Sequence, residues 1–291
     1  MSVGPTAQAK GRLSKRAELV WLGIVVAAGI ILYLKTFAYF WSAWRAETQY
    51  SLAYLVPFVS GYFLWRKWPQ AAKAERSPSR LGLFLIVAAL VMHIGGTALD
   101  ISGPSSVSVL IFVLGCCIYF HGPALVRILW FPLAYLVFAI PVPGGVTDLV
   151  GFPLQLWSSG AAAGLLRAVG IEVARNGVNL SVPGFDFQVA EACSGMSSLV
   201  ALTGVTAVFA YLTRLPPLYK WILFFLAVPI ALVANAIRVT TIALVGYQWG
   251  REAAMGIFHT WSSPILFVAA VVLLFGINWG LEWLTVRRTT S

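Results

Sequence analysis

The sequence predicts an all-α polytopic membrane protein, with about eight transmembrane helices, an interfacial helix and a short β-hairpin-like extracytoplasmic cap. Three observations lead to this fold class. The 291 residues are 59% hydrophobic and only 10% charged, whereas a soluble protein carries about a quarter charged residues. Several apolar runs approach the ~20 residues that span a bilayer. Basic residues cluster beside these runs, as the positive-inside rule expects.

The predicted spans follow one another along a single membrane domain, residues 18–285. They cover residues 18–40, 50–65, 81–99, 106–120, 122–140, 194–213, 219–247 and 261–284. Residues 1–17 are a basic N-terminus and residues 286–291 a tail, both expected in the cytoplasm. The first apolar run is too long for a signal-peptide core, so we expect it to be retained as a span.

Residues 141–192 interrupt this pattern as an insertion expected on the extracytoplasmic side. The "PVPGG" stretch at 141–145 ends the preceding helix. Residues 147–169 are apolar but carry several polar side chains, which favours an interfacial or re-entrant helix over a span. Alternating apolar residues around Asn176-Gly177 and Pro183-Gly184 predict the hairpin-like element. Basic residues flanking the last three spans favour the eight-span arrangement.

Three residues on successive predicted helices are expected at a similar depth. At ~1.5 Å per residue, Cys193 and Arg238 lie roughly 31 Å and 27 Å from the nearest cytoplasmic basic residues. His259 lies roughly 42 Å from its own, by the same helical rise. The hydrocarbon core is ~30 Å thick. All three are therefore predicted near the outer membrane interface.

Each of these residues has a structural and a functional interpretation. A lone cysteine in an apolar protein is usually inert packing, but Cys193 precedes a helix, where the dipole favours a thiolate. An intramembrane arginine usually faces a partner or a cavity, and Arg238 could instead form an ion pair with Glu191. Asn235 lies one helical turn before Arg238, on the same face. His259 alone would be an ordinary interfacial residue.

Together the three residues make a set suited to acyl transfer. A thiolate at Cys193 is a nucleophile, and a histidine such as His259 can accept or return a proton near neutral pH. A guanidinium such as Arg238 can stabilise a thiolate or an oxyanion. The small neighbours Ser194 and Gly195 leave room for a substrate to approach. The sequence therefore predicts thioester chemistry.

Other classes of site are not supported by the residue pattern. Three cysteines at these spacings make neither a disulfide framework nor a zinc site, and no HExxH motif is present. We expect neither metal nor cofactor. The formal net charge is +10, but the basic residues do not form one patch, so nucleic acid is not an expected partner.

Several stretches resemble the exosortase/archaeosortase family of membrane-embedded cysteine transpeptidases. They are "VAEACSGMSSL" (189–199), "NAIRV" (235–239), His259 before a final apolar run, "YSLAYLVPFVSGYFLWRKW" (50–68), "IPVPG" (140–144) and "RNGVNLSVPG" (175–184). They occur in the expected order over roughly residues 40–285. The chain departs from the family where Met196 and Ser197 replace the common leucine and arginine.

The resemblance implies a protein-sorting enzyme of the inner (cytoplasmic) cell membrane with its active site on the extracytoplasmic side. Its substrates would be exported proteins with a C-terminal tripartite tail: a short motif such as Pro-Glu-Pro, a transmembrane helix and a basic cluster. The enzyme would cut at the motif through a thioester on Cys193 and pass the new carboxyl end to an unidentified amine acceptor. Membrane lipids are the other expected partners. Residues expected to support the site are Glu191, Ser194, Gly195 and Asn235.

Two other functions remain open from the residues themselves. In a transporter or lipid-phosphate-binding subunit of an exopolysaccharide system, Arg238 would hold the ligand and Cys193 would be incidental. A non-catalytic membrane scaffold would need neither residue. The enzyme would need both Cys193 and Arg238, the lipid-phosphate-binding subunit only Arg238, and the scaffold neither, so substituting each residue distinguishes the three functions.

Overall fold

The computed structural model describes residues 15–46, 50, 52–142, 144–189 and 195–290. Over these ranges the chain is mostly helical. The helices are α1 (Lys15–Leu32), α2 (Leu34–Ala46), α3 (Val56–Ala71), α4 (Arg80–Ala98), α5 (Ser102–Phe120), α6 (Pro123–Ile128), α7 (Trp130–Tyr135), α8 (Gly144–Ala168), α9 (Met196–Leu212), α10 (Pro217–Ala253) and α11 (His259–Thr290). The strands are β1 (Ala174–Asn176), β2 (Asn179–Val182) and β3 (Phe185–Gln188).

The described helices make the chain a multi-pass membrane protein. Among the described residues, five helices are long and apolar enough to cross a membrane: α4, α5, α8, α10 and α11. The pair α1–α2 makes a sixth if counted as one span, bent by 61°. At this bend Tyr33 is buried, and its ring packs on His93 and Phe112. The predicted eight spans are therefore not confirmed.

Three predicted spans correspond to shorter or broken helices. Helix α3 has 16 residues and α9 has 17, fewer than the ~20 of a typical span. The predicted span 122–140 is divided into α6, α7 and a 3₁₀ turn. The break between α6 and α7 falls at Leu129, three residues before Pro132. A proline lacks an N–H and its ring clashes with the carbonyl of the fourth residue before it, which explains the break.

Helix α8 is slightly longer than the predicted interfacial helix, and two of its polar residues are buried. It has 25 residues, and its segment Asp148–Ala168 meets the length and composition expected of a span. Ser158 and Ser159, two of the polar residues that favoured an interfacial position, are 2% and 0% exposed. Because these hydroxyls are covered by protein, their polarity does not indicate contact with the membrane surface. The interfacial position of α8 stays a prediction.

The hairpin-like element is a three-stranded antiparallel sheet in the order β1-β2-β3. Asn176 pairs with Asn179, and Val182 pairs with Phe185, so both connections are two-residue turns. Their glycines, Gly177 and Gly184, have φ of 61° and 82°, a conformation that glycine adopts without steric cost. The predicted turns are therefore present, whereas the extracytoplasmic position of the sheet stays a prediction.

Helix α10 lies at the centre of the elements that carry the predicted site. Near its N-terminal end it packs with α9 and α11 through a buried cluster that includes Leu202, Leu223 and Leu274. Buried alanines in the same cluster, Ala227, Ala231 and Ala270, allow the helix backbones to approach closely. Further along, α10 packs with α8 and the sheet in a second cluster. Its helical geometry is interrupted at Gly250, with φ 80° and ψ 177°.

Candidate functional site

Gly195 fixes the start of α9 against α10. It is the N-cap of α9 and has a left-handed backbone, with φ 83° and ψ −1°. A Cβ at this position would lie 2.9 Å from Cγ of Asn235, so that side chain would have to shift to admit it. Glycine is thus favoured both by the backbone conformation and by the close contact. Helix α9 begins at Met196, slightly later than the predicted residue 194.

The remaining predicted residues of this segment lie outside the described residues. These are Glu191, Cys193 and Ser194. The structure therefore gives the position of Gly195, two residues after Cys193, but not that of the Cys193 thiol. The predicted alternative, an ion pair between Arg238 and Glu191, is untested for the same reason.

Asn235 joins α10 to α8 directly behind Gly195. Its side chain is buried, at 3% exposure, and its Nδ2 donates a hydrogen bond to Oγ of Ser158 at 2.7 Å. Buried amides need such partners, because an unmet hydrogen bond in an apolar environment is costly. The predicted supporting residues Gly195 and Asn235 are therefore in contact, and Ser158 joins them.

Arg238 lies one helical turn beyond Asn235 and is buried at 5% exposure. Its Nε donates to Oγ of Ser262 on α11, at 3.3 Å. A guanidinium inside a membrane protein is retained where it meets partners or a functional cavity. The interaction ties α10 to the first turns of α11, which is the helix that carries His259.

His259 is the first residue of α11, and its side chain lies outside the described residues. Its backbone stands three residues before Ser262, which is about one helical turn. A π-helical segment, Ala254–Phe258, connects α10 to this point. The backbone of His259 is thereby placed one turn from the hydroxyl that contacts Arg238.

A small cavity lies where α9, α10 and α11 meet. Its polar lining comes from Ser198, Asn235, Arg238 and Ser263. The cavity measures about 10 Å³, room for about one water molecule and not for a peptide. Asn235 and Arg238 therefore line the same small cavity.

Sequence reasoning did not identify Ser158 or Ser262 as site residues. Serines are common in apolar helices, where each hydroxyl can bond to a carbonyl of the preceding turn. Placing a serine in a membrane helix therefore costs little free energy, and the sequence alone does not show whether that serine belongs to a site. The one available signal was the three-residue spacing from His259 to Ser262, which predicts a shared helical face.

Comparison with known proteins confirms the family resemblance. The family model described as transmembrane exosortase (Exosortase_EpsH) matches residues 41–276. The matched range includes Cys193 together with the described contacts around Gly195, Asn235 and Arg238. No curated protein and no solved structure matches the chain.

Proposed function

Because this chain belongs to the transmembrane exosortase family, we propose that it is a cysteine-dependent endopeptidase and transpeptidase. Its substrates are exported proteins that carry the C-terminal tail of a short motif, a transmembrane helix and a basic cluster. It cleaves the tail at the outer face of the inner (cytoplasmic) membrane, through a thioester on Cys193, and transfers the new carboxyl end to an amine acceptor.

The observation that carries this proposal is the packing of Gly195 on Asn235, one turn from buried Arg238. This packing brings the backbone two residues after Cys193 close to the part of α10 that carries Arg238. A guanidinium near a thiol favours its thiolate form, and it stabilises the oxyanion of an acyl-transfer intermediate.

The chemistry assigns one role to each residue of the predicted set. The thiolate of Cys193 attacks the scissile carbonyl, and Arg238 stabilises the oxyanion that forms. As the carbon–nitrogen bond breaks, the imidazolium of His259 gives its proton to the leaving amine. The acceptor amine then attacks the thioester, its proton passes to His259, and Cys193 leaves as the thiolate. Water in place of the amine gives simple hydrolysis.

The geometry of α10 supports a reaction at the membrane interface. The helix continues from Pro217 to its interruption at Gly250, so distances along it follow the helical rise. Arg238 stands about 27 Å from Lys220, and Gly246 about 39 Å. Phe185 of β3 packs against Gly246, so the sheet contacts α10 beyond Arg238. With Lys220 at the cytoplasmic surface, Arg238 lies near the outer rim of the ~30 Å core and the sheet lies outside it.

The test compares tail removal from an exported reporter in cells that produce variants at matched levels. Cys193→Ala should abolish removal. Arg238→Lys should reduce its rate by ~10²-fold, because lysine lacks the forked donors of arginine. Arg251→Lys, on the same helix but exposed, should leave the rate unchanged and serves as the matched control.

Cys193→Ala, together with a further variant, Arg238→Ala, distinguishes the other functions. A subunit that binds lipid phosphate through Arg238 would lose its function in Arg238→Ala and keep it in Cys193→Ala. A scaffold would tolerate both substitutions. Unchanged tail removal by Cys193→Ala would overturn the proposed function and leave the arginine-centred alternative.

A further inference from the structure

We propose that Ser158 on α8 is a positioning residue for the turn that follows Cys193, and that it acts through the side chain of Asn235. The inference rests on the proposed function for its catalytic consequence. Its structural part stands on the contacts of the described residues alone.

The contacts form a chain of two links from α8 to the start of α9. Ser158 accepts a hydrogen bond from Nδ2 of Asn235 at 2.7 Å, and both residues are almost fully buried. In turn, Cγ, Nδ2 and Cβ of Asn235 lie 2.9, 3.0 and 3.1 Å from the position of a Cβ on Gly195. The Asn235 side chain is therefore the surface against which the left-handed turn at Gly195 packs.

The hydrogen bond to Ser158 helps to hold the Asn235 amide in one orientation. The terminal torsion of asparagine is broad and has no strong preference of its own, so a partner must select one orientation. Removing the Ser158 hydroxyl takes away a hydrogen-bond partner that holds the amide in its present orientation. The turn at Gly195 would then shift, and with it the segment that carries Cys193. A misplacement of about 1 Å in a reacting group can lower a rate by ~10²-fold.

The neighbouring serine provides a matched comparison, because it is equally buried but belongs to another contact. Ser159 is 0% exposed. Its Oγ accepts a hydrogen bond from Nε of Arg175 at 3.1 Å and lies 3.0 Å from the carbonyl oxygen of Gly177. Ser159 thus connects α8 to the sheet, whereas Ser158 connects α8 to the site.

The first experiment measures tail cleavage by the purified full-length protein. Ser158→Ala should lower kcat by at least tenfold with KM within twofold of the wild type, whereas Ser159→Ala should leave kcat within twofold. If Ser158 acts through Asn235, the double variant Ser158→Ala/Asn235→Ala should be no slower than Asn235→Ala alone. Rate losses that multiply in the double variant would overturn the proposal.

A second experiment reads the geometry without relying on activity. In a Cys116→Ala/Cys117→Ala background, Cys193 is the only cysteine, and its rate of alkylation by iodoacetamide reports its surroundings. Ser158→Ala should change this rate by at least threefold and Ser159→Ala should not. Equal rates in the two variants would refute the positioning role. An altered rate in a protein that cleaves no tail would instead refute the proposed function and keep the positioning role.

Discussion

At the residue scale, Gly195 meets two independent requirements. Its φ of 83° lies in the left-handed region, and its missing side chain admits Asn235 to close contact. The two effects can be separated by comparison with Gly170, which has nearly the same φ, 82°. A Cβ added at Gly170 would meet no atom within 4 Å, so only the backbone requirement applies there.

Gly195→Ala should therefore destabilise the protein more than Gly170→Ala. A left-handed alanine costs roughly 1–2 kcal/mol, which is the whole effect expected at position 170. At position 195 the clash with Asn235 adds about 1–3 kcal/mol. Unfolding in detergent would measure both changes. Equal losses of stability would show that Asn235 yields to the new methyl group and does not support the turn.

A site residue could be recognised from the sequence only where placing its side chain in a membrane costs much free energy. Arg238 could be singled out because a charge in an apolar run is expensive and needs a reason. Ser158 and Ser262 could not, because any serine in an apolar helix can bond its hydroxyl to a carbonyl of the preceding turn, so its presence there costs little and does not mark a site. Their contacts with Asn235 and Arg238 depend on how three helices pack, which no local pattern in one sequence specifies.

At the element scale, the sheet is held to α10 by a close contact. Phe185 of β3 packs directly against Gly246, where an added Cβ would overlap the ring and force it to move. Both residues belong to or border the buried cluster that joins α8, α10 and the sheet. The position of the sheet over the C-terminal end of α10 therefore depends on Gly246, a glycine four residues before the interruption at Gly250.

Gly246→Ala should loosen the sheet. Overpacking at this contact should lower stability by about 1–3 kcal/mol and speed amide hydrogen exchange in residues 174–188. The control is Gly276→Ala on α11, which has open space around the new methyl group. It should be neutral or stabilising by up to about 1 kcal/mol, because alanine favours the helix. Unchanged exchange in Gly246→Ala would contradict the role assigned to this contact.

Helices and strands could be predicted from the sequence where the pattern of apolar residues and the turn-forming residues indicated the same boundaries. The glycines of the two hairpin turns identified the strand connections, because these positions need positive φ. The apolar run 122–140 was predicted as one span, since hydropathy alone does not register how Pro132 divides it into α6 and α7. The bend at Tyr33 was also missed: it accompanies burial of the ring against α4 and α5, a tertiary effect.

At the scale of the whole molecule, α8 determines which side of the membrane the site faces. If α8 is interfacial, its two ends lie on one side, and if it spans, they lie on opposite sides. Its length and composition permit a span. The basic residues that flank the last spans, including Arg214 and Lys220, favour the interfacial arrangement.

Accessibility of single cysteines would decide between these arrangements. In a background without native cysteines, Asp148→Cys and Glu172→Cys place a thiol near each end of α8, and both positions are exposed. We expect a membrane-impermeant maleimide to label both from the extracytoplasmic side of intact cells or spheroplasts. Lys73→Cys, in the basic loop after α3, should be labelled only after the membrane is opened. Labelling of Asp148→Cys and Glu172→Cys from opposite sides would show that α8 spans.

The central claim is that Cys193 forms a thioester with the cleaved substrate, and intact-mass spectrometry tests it most directly. The purified protein would be mixed with a tailed substrate, quenched with acid and analysed, beside Cys193→Ala. We predict an adduct with the mass of the substrate's N-terminal part, located on the peptide containing Cys193 and released by hydroxylamine, together with no cleavage by Cys193→Ala. Tail cleavage by Cys193→Ala at the wild-type rate would contradict the account.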